Sequence, residues 1–148
     1  TIFQHRRKMI PKRKPKIKTP KLSTIVTKAD TVCSIYIRMK YSDFAGNISC
    51  VTCGKSMRWQ DAHCAHYIER GKIGTRWREE NLHAAGACCN TFNKEFHKRE
   101  YSLFMIDTYG RALVDELKAE ARRLLKPSEK RDLALEAITY YTEAIKSL

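Results

Sequence analysis

The first regular hydrophobic pattern in the chain begins near Thr27 and has the period of a helix. Its apolar side chains recur at spacings of three and four residues, at Val32, Ile35, Tyr36 and Met39. Gly46 and Asn47 then close the segment. The pattern predicts a helix that packs on the core, on which Cys33 is a small buried residue and not a metal ligand.

The end of the chain also carries helical patterns, separated by Gly110 and Pro127. The face before Gly110 is formed by Tyr101, Phe104, Met105 and Tyr109. The face between the two breakers is formed by Leu113, Val114, Leu117, Ala121, Leu124 and Leu125. The last helix is predicted to begin near Ser128 and to bury Leu133, Ala137, Ile138, Tyr141, Ile145 and Leu148. The two helices after Gly110 are expected to pack on the core or to form the face of a homodimer.

A short strand is predicted between Gln60 and Tyr67. Because successive side chains of a strand alternate, Cys64 and His66 would share one face while His63 points the other way. With helices before and after it, this strand indicates an α+β fold. A length of 148 residues fits one domain with a modest core, for which a metal ion would add useful stability.

Positive charge is concentrated at the start of the chain. The net charge is +13, and residues 1–21 contain nine Lys or Arg and no acidic residue, which leaves +4 for the rest. Three prolines interrupt this stretch, so residues 1–26 are predicted to form an extended, disordered basic arm. Such an arm attracts polyanions, and DNA is the expected partner because no apolar run is long enough for a membrane.

The six cysteines point to metal binding. The sequence shows no secretory signal, so the protein is expected in a reducing cytoplasm, where metal ligands and buried thiols are commoner than disulfides. Cys50 and Cys53 have the spacing of a zinc knuckle, with Gly54 relaxing the turn. A redox pair shares this spacing, but no βαβ pattern surrounds it. Further thiols follow at Cys64, Cys88 and Cys89.

The region after the strand resembles the HNH nuclease signature. An Asn-Leu pair at Asn81 precedes the pair Cys89-Asn90, and Asn90 follows Asn81 by nine positions. A wider set of spaced residues is similar to the NinG (Rap) family of bacteriophage recombination proteins over about residues 30–148. Its segments are Ser34-x-Tyr36-Ile37-Arg38, Cys50-x-Thr52-Cys53-Gly54-Lys55, Cys64-Ala65-His66-Tyr67-Ile68-x-Arg70, Arg76-Trp77-x-x-x-Asn81-x-His83, Cys89-Asn90 and Tyr101-x-x-Phe104-x-x-Asp107-x-Tyr109-Gly110.

The resemblance implies a fold, an activity and a substrate. The implied fold is a zinc-stapled ββα-metal (HNH/His-Me finger) core within residues 27–110, with residues 111–148 packing on it or forming a dimer face. The implied activity is that of an endonuclease that cuts branched double-stranded recombination intermediates, such as D-loops and Holliday junctions, in the host bacterial cytoplasm. Structural Zn²⁺ and a catalytic Mg²⁺ or Mn²⁺ are the implied cofactors.

The chain departs from this family pattern at two positions. Ala65 replaces a glycine before the histidine, and Gly86 replaces a cysteine. A tetrahedral zinc ion held by three remaining cysteines therefore needs a replacement ligand. The three are Cys50, Cys53 and Cys89. Of the two candidates for the fourth, Cys64 is preferred over Cys88, because adjacent Cys88 and Cys89 would hardly point at one metal ion from the start of a helix.

Phosphodiester hydrolysis needs a base, a cation and a rigid frame. His66 is the predicted general base, because an imidazole titrates near neutrality. Asn81 is expected to hold the His66 ring or its strand by a hydrogen bond. The divalent cation is expected beside the helix face that presents Asn90 and His97, which are seven residues apart. An acidic residue could join them, and the candidates are Asp61, Glu69 and Glu95.

Other residues have less specific expectations. His63 and His83 could support the ligands or be purely structural, and His97 could be an ordinary exposed helical histidine. The predicted DNA contacts are basic residues of the arm and of the loop after the strand, namely Arg6, Arg7, Lys8, Lys12, Arg13, Lys14, Arg70, Lys72 and Arg76.

A second hypothesis is a zinc-stapled DNA-binding module without catalysis, of which Gly86 would be a sign of decay. The retention of His66, Asn81 and Asn90 together favours the enzyme, because a binding module has no need of a base.

Overall fold

The computed structural model describes residues 18–148 as helices and short strands, which confirms the α+β class. The elements in chain order are α1 (Leu22–Lys40), β1 (Asn47–Ser49), β2 (Ser56–Arg58), β3 (His63–His66), β4 (Leu82–Ala85), α2 (Lys94–Ala121) and α3 (Pro127–Lys146). A 3₁₀ turn (Glu79–Asn81) leads into β4, and a π-helical turn (Cys88–Phe92) leads into α2. Within this described part, no helix combines the length and the apolar character that a membrane span requires.

The strands form two separate antiparallel pairs, β1 with β2 and β3 with β4. In the second pair His66 lies opposite Leu82. The two pairs are joined where the backbone N–H of Val51, just after β1, donates a hydrogen bond of 2.8 Å to the carbonyl of Ala84 in β4. The turn that carries the first two cysteines is therefore fixed to the strand that precedes α2.

One hydrophobic core lies where α1 and α3 meet the β3–β4 pair. Ala29 and Ala134 are fully buried in it, and their small side chains allow the two helices to approach closely. Cys33 is only 2% exposed in this core, so its prediction as a small buried residue is confirmed. The other buried members are Ile25, Tyr36, Ile37, Cys64, Trp77, Leu82, Ala137 and Tyr141.

A second core joins α2 to both strand pairs. Tyr101, Met105, Val114 and Leu117 of α2 are buried here. They pack with four small residues of the strands and turns, which are Cys50, Ala65, Ala85 and Cys89. These partners leave room for the large aromatic ring of Tyr101, which is 2% exposed. This core determines where α2 lies against β3 and β4.

His83 of β4 reinforces that contact by hydrogen bonds. Its Nδ1 lies 2.9 Å from the hydroxyl of Tyr101, and its Nε2 lies 2.9 Å from the hydroxyl of Tyr109. The Tyr101 hydroxyl in turn donates to the carbonyl of Ala65 at 3.2 Å. Both ring nitrogens of His83 are thus occupied inside the protein, and the histidine is a structural residue.

Several element boundaries differ from the sequence predictions. Helix α1 begins at Leu22 and not near Thr27, because Ile25 extends the apolar face by one turn and is buried against the core. Residues 22–26 therefore belong to the helix and not to the basic arm. Strand β3 is shorter than the predicted span of residues 60–67.

The C-terminal boundaries also shift. The helix that was predicted to include Leu124 and Leu125 ends at Ala121, and Leu124 is 99% exposed. Pro127 lies in the first turn of α3, where its missing N–H costs no hydrogen bond. The proline therefore opens the last helix as well as ending the preceding segment.

The predicted interruption at Gly110 is confirmed. Gly110 has φ +81° and ψ 159° and separates two helical halves of α2. This backbone region is open essentially only to glycine. A Cβ at Gly110 would meet nothing within 4 Å, so the need for glycine is conformational and not steric.

We expect Gly110→Ala to lower the free energy of unfolding by about 1–3 kcal/mol through backbone strain. Chemical denaturation would measure the loss. The control is Gly71→Ala, because Gly71 also has open surroundings but has no positive φ. The control should change stability by less than about 0.5 kcal/mol. Equal losses in the two variants would contradict the strain argument.

We also expect acid to destabilise the fold through His83. Burial lowers the pKa of His83 to about 4, whereas its usual value is 6.5. The unfolded chain therefore takes up this proton first as the pH falls, and stability is lost between about pH 6.5 and pH 4, by on the order of 3 kcal/mol. Denaturation of the parent and of His83→Gln across this range would test the prediction. Between about pH 6.5 and pH 4 the free energy of unfolding should fall less in the variant than in the parent. Equal falls would contradict the assignment of this loss to His83.

Candidate metal centre and cleft

Three cysteines from two separate segments converge in the structure. The Sγ atoms of Cys50, Cys53 and Cys89 all lie within 4.8 Å of one another. Cys50 and Cys53 come from the turn between β1 and β2, and Cys89 comes from the π-helical turn before α2. Cys50 and Cys89 are buried and Cys53 is exposed. This cluster, called the thiol cluster below, could hold a metal ion such as zinc.

Local hydrogen bonds shape both segments. In the first, the N–H of Gly54 donates to the carbonyl of Cys50 at 2.9 Å, and Gly54 takes φ +71°. In the second, the N–H groups of Cys89 and Asn90 both donate to the carbonyl of Gly86, at 3.1 and 2.9 Å. The sulfur atoms therefore project from two tight turns whose backbones are held independently of any ion.

The surroundings of Cys50 suit a thiolate. Burial alone would raise its pKa, but the hydroxyl of Thr52 and the backbone N–H groups of Cys53, Gly86 and Thr52 hold that pKa below its usual value. Metals bind the thiolate and not the thiol. The donor set and its hydrogen bonds thus fit a structural zinc ion.

The structure corrects the prediction that Cys64 completes this cluster. Cys64 lies in the core of α1 and α3, close to Cys33, and burial raises its pKa to about 12. An apolar setting of this kind stabilises the neutral thiol. Because Cys64 packs in this core, it lies apart from the other three cysteines. The alternative, Cys88, is exposed, and its Sγ lies 3.9 Å from the Sγ of Cys89.

Beside the thiol cluster lies a cleft of about 410 Å³ that contains three of the predicted site residues, His66, Asn90 and His97. Glu69 also lines this cleft, whereas Asp61 lines a neighbouring pocket that shares Asn90. The rim of the cleft is basic, with Lys94, Lys98 and Lys118. Strand β3, the turn before α2 and both halves of α2 all contribute to it.

His66 stands at the end of β3 with one ring nitrogen unused. Its Nε2 is buried and has no hydrogen-bond partner. Burial and the nearby Arg70 guanidinium lower the pKa of His66 to about 4. The imidazole is therefore neutral at pH 7 and can accept a proton, but it is a weaker base than the near-neutral imidazole that the sequence predicted.

His97 presents a second unused nitrogen from α2. It is 7% exposed, and burial lowers its pKa, so it is not the exposed helical histidine that the sequence also allowed. Its Nδ1 lies 3.3 Å from the hydroxyl of Thr52, whereas its Nε2 is buried without a partner. Within residues 18–148, the Nε2 atoms of His66 and His97 are the two buried side-chain nitrogen or oxygen atoms that lack a partner. Both histidines line the same cleft.

Asn81 acts on the backbone and not on the His66 ring. Its side chain is fully buried, accepts from the N–H of Ile68 at 2.7 Å, and donates to the carbonyls of Ile68 and Thr75 at 3.1 and 3.0 Å. Its own carbonyl accepts from the N–H of Tyr67. Asn81 therefore fixes the segment that follows β3, next to the strand that carries His66.

Asn90 lines both the cleft and the neighbouring pocket, where its side chain meets His63. The Nδ2 of Asn90 is 3.3 Å from the Nδ1 of His63, which is exposed. His63 lines the neighbouring pocket and not the cleft of His66. Glu95, one of the acidic candidates, is exposed at the start of α2 and is absent from the cleft lining.

The predicted DNA contacts divide into three groups. Arg76 pairs with both carboxylate oxygens of Asp30 at 2.9 and 2.6 Å, so it serves the fold, and its role as a DNA contact stays a prediction. Arg70 and Lys72 are exposed. The remaining predicted contacts lie outside the described residues, and they are Arg6, Arg7, Lys8, Lys12, Arg13 and Lys14.

Sequence reasoning missed the basic rim and Thr52. Lys94 and Lys98 are four residues apart and so share a helix face, a signal that was available in the sequence. Lys118 lies beyond the break at Gly110, and only the tertiary fold brings it to the cleft.

Comparison with known proteins gives one match. The family model described as the bacteriophage lambda NinG protein matches residues 3–148. No curated protein and no solved structure matches the chain significantly. Because the match spans nearly the whole sequence, the chain belongs to the bacteriophage lambda NinG protein family.

Proposed function

We propose that this protein is a divalent-metal-dependent DNA endonuclease that cuts branched recombination intermediates, such as D-loops and Holliday junctions. One observation carries the proposal. His66 and His97 each carry a buried Nε2 without a partner, and both residues line one cleft together with Asn90. Buried polar atoms normally have partners, so two orphans at one cleft point to a ligand. The choice of branched DNA rests on the resemblance to the family.

The charge around the cleft suits a phosphate backbone. Lys94, Lys98 and Lys118 line it, and the exposed Arg70 lies close enough to affect the pKa of His66. Contacts of this kind fix a nucleic acid in place without reading its sequence. The basic N-terminal stretch would add affinity for any DNA. A structure-selective enzyme would use such contacts.

In the proposed reaction His66 is the general base. Its neutral Nε2 takes a proton from a water molecule, whose oxygen attacks the phosphorus atom while the P–O bond to the leaving oxygen breaks. Asn90 and His97 would hold Mg²⁺ or Mn²⁺, which neutralises charge on the scissile phosphate and the leaving oxygen. Glu69, in the same cleft, offers the hard oxygen donor that such cations favour.

The proposal includes a structural zinc ion whose fourth ligand is Cys88. Zinc–thiolate bonds of about 2.3 Å in a tetrahedron place sulfur atoms roughly 3.8 Å apart. Cys88 and Cys89 already have this separation, at 3.9 Å. They lie in a π-helical turn, whose wider winding reduces the angle between successive side chains. Cys88 is exposed, so its side chain is free to turn toward the thiol cluster.

We expect about one zinc ion per chain, because the thiol cluster offers a single site. Cys88→Ser should weaken zinc binding and lower the Tm, since binding free energy in such sites is also folding free energy. Metal analysis and titration with a competing chelator would measure both. Cys64→Ser is the control and should retain its zinc. Equally tight zinc in Cys88→Ser and the parent would contradict the assignment of Cys88.

We expect His66→Ala to cut branched DNA at least about a hundredfold more slowly than the parent in saturating Mg²⁺ or Mn²⁺. The variant loses the base but keeps the thiol cluster and the basic rim, so it should keep its zinc and its DNA affinity. Single-turnover cleavage of labelled branched and linear DNA, with EDTA as the metal-free control, would measure the rates. Binding would be measured separately in Ca²⁺.

The control for this experiment is His63→Ala, the exposed histidine on the same strand, which should retain most of the activity. Loss of cleavage in His63→Ala but not in His66→Ala would transfer the base to His63. Absence of cleavage in the parent with either metal would replace the proposal with the non-catalytic DNA-binding module.

A further inference from the structure

The hydroxyl of Thr52 lies between the thiol cluster and the cleft. Its Oγ1 is 3.3 Å from the Sγ of Cys50 and 3.3 Å from the Nδ1 of His97. Thr52 sits between the two knuckle cysteines, whereas His97 is on α2. The hydroxyl of Thr52 thus contacts one residue of the thiol cluster and one residue of the cleft.

The protons available to the three groups limit how the Thr52 hydroxyl can bond to Cys50 and His97. A threonine hydroxyl has one proton to donate, and it can also accept. A metal-bound Cys50 is a thiolate and has no proton of its own. Both 3.3 Å contacts can then be hydrogen bonds in only one arrangement, in which Thr52 donates to sulfur and accepts from the Nδ1–H of His97.

That arrangement determines the tautomer of His97. A neutral imidazole with its proton on Nδ1 has a lone pair on Nε2. The Nε2 of His97 is buried without a partner, on a residue that lines the cleft. In the opposite arrangement the thiol proton of Cys50 would point to Thr52, Thr52 would donate to Nδ1, and Nε2 would carry the proton. A nitrogen that carries a proton cannot bind a cation.

We propose that Thr52 is a positioning residue through which metal bound at the thiol cluster makes the Nε2 of His97 available to a divalent cation in the cleft. The inference rests on the proposed function for the cation and for His97 as one of its ligands, whereas the hydrogen bonds are independent of cleavage. A partner of this kind orients a ligand histidine and sets its tautomer. Metal bound at the thiol cluster then favours cation binding in the cleft as well as stabilising the fold.

The direct test is the tautomer of His97 in zinc-loaded protein, read from ¹⁵N–¹H correlation spectra of the imidazole nitrogens. We expect the Nδ1–H form in the parent. A parent with its proton on Nε2 would overturn the proposal. This measurement needs no variant and no DNA.

The second test compares variants of Thr52 in their affinity for Mn²⁺ alone, measured by electron paramagnetic resonance. Thr52→Val keeps the shape and removes the hydroxyl, and we expect it to weaken Mn²⁺ binding by about 10- to 100-fold while zinc stays stoichiometric. Thr52→Ser restores the hydroxyl and should recover most of the affinity. The control, Thr108→Val, changes an exposed threonine of α2 and should bind Mn²⁺ like the parent.

The outcomes separate this inference from the proposed function. Unchanged Mn²⁺ affinity in Thr52→Val would overturn the positioning role even if the parent cleaves DNA. A parent that never cleaves would end the nuclease proposal and leave the tautomer and Mn²⁺ results standing. Should Thr52→Val fail to fold, the tautomer of His97 in the parent still decides the question.

Discussion

The packing of α2 against β3 and β4 is the constraint on which the rest of this structure depends. Strand β3 carries His66 and α2 carries His97, so the two histidines line one cleft only if the two elements keep a fixed separation. Tyr101 maintains it, because its ring fills the core beneath the strands while its hydroxyl meets His83 and Ala65. A buried aromatic with satisfied hydrogen bonds is costly to move.

Metal bound at the thiol cluster would compensate for how little regular structure surrounds the cleft. The four strands are three or four residues long and form two separate pairs, which is less than a sheet needs to be stable alone. Metal binding at Cys50, Cys53 and Cys89 would join the first pair to the turn that opens α2. Thr52 would carry the effect of that ion to His97. The same metal ion would then stabilise the fold and hold the geometry of the cleft.

The distribution of ion pairs explains why net charge alone did not indicate which cations line the cleft. Arg76 pairs with Asp30, and Arg78 pairs with Glu116 and Glu120, so two cations of the segment between β3 and β4 maintain the fold. The cations at the cleft are instead helical lysines from both sides of the break in α2, namely Lys94, Lys98 and Lys118.

The sequence by itself determined the class of fold, the burial of Cys33, the break at Gly110 and three of the cleft residues, because helical period, a glycine-only conformation and motif spacing are local properties. Only the tertiary structure decided the pairing of distant groups. It placed Cys64 in the core of α1 and α3, although in the sequence Cys64 lies between the two segments that form the thiol cluster. It also placed Thr52 beside His97. Such contacts depend on how α2 packs across the strands, a property of several segments together that no local pattern contains.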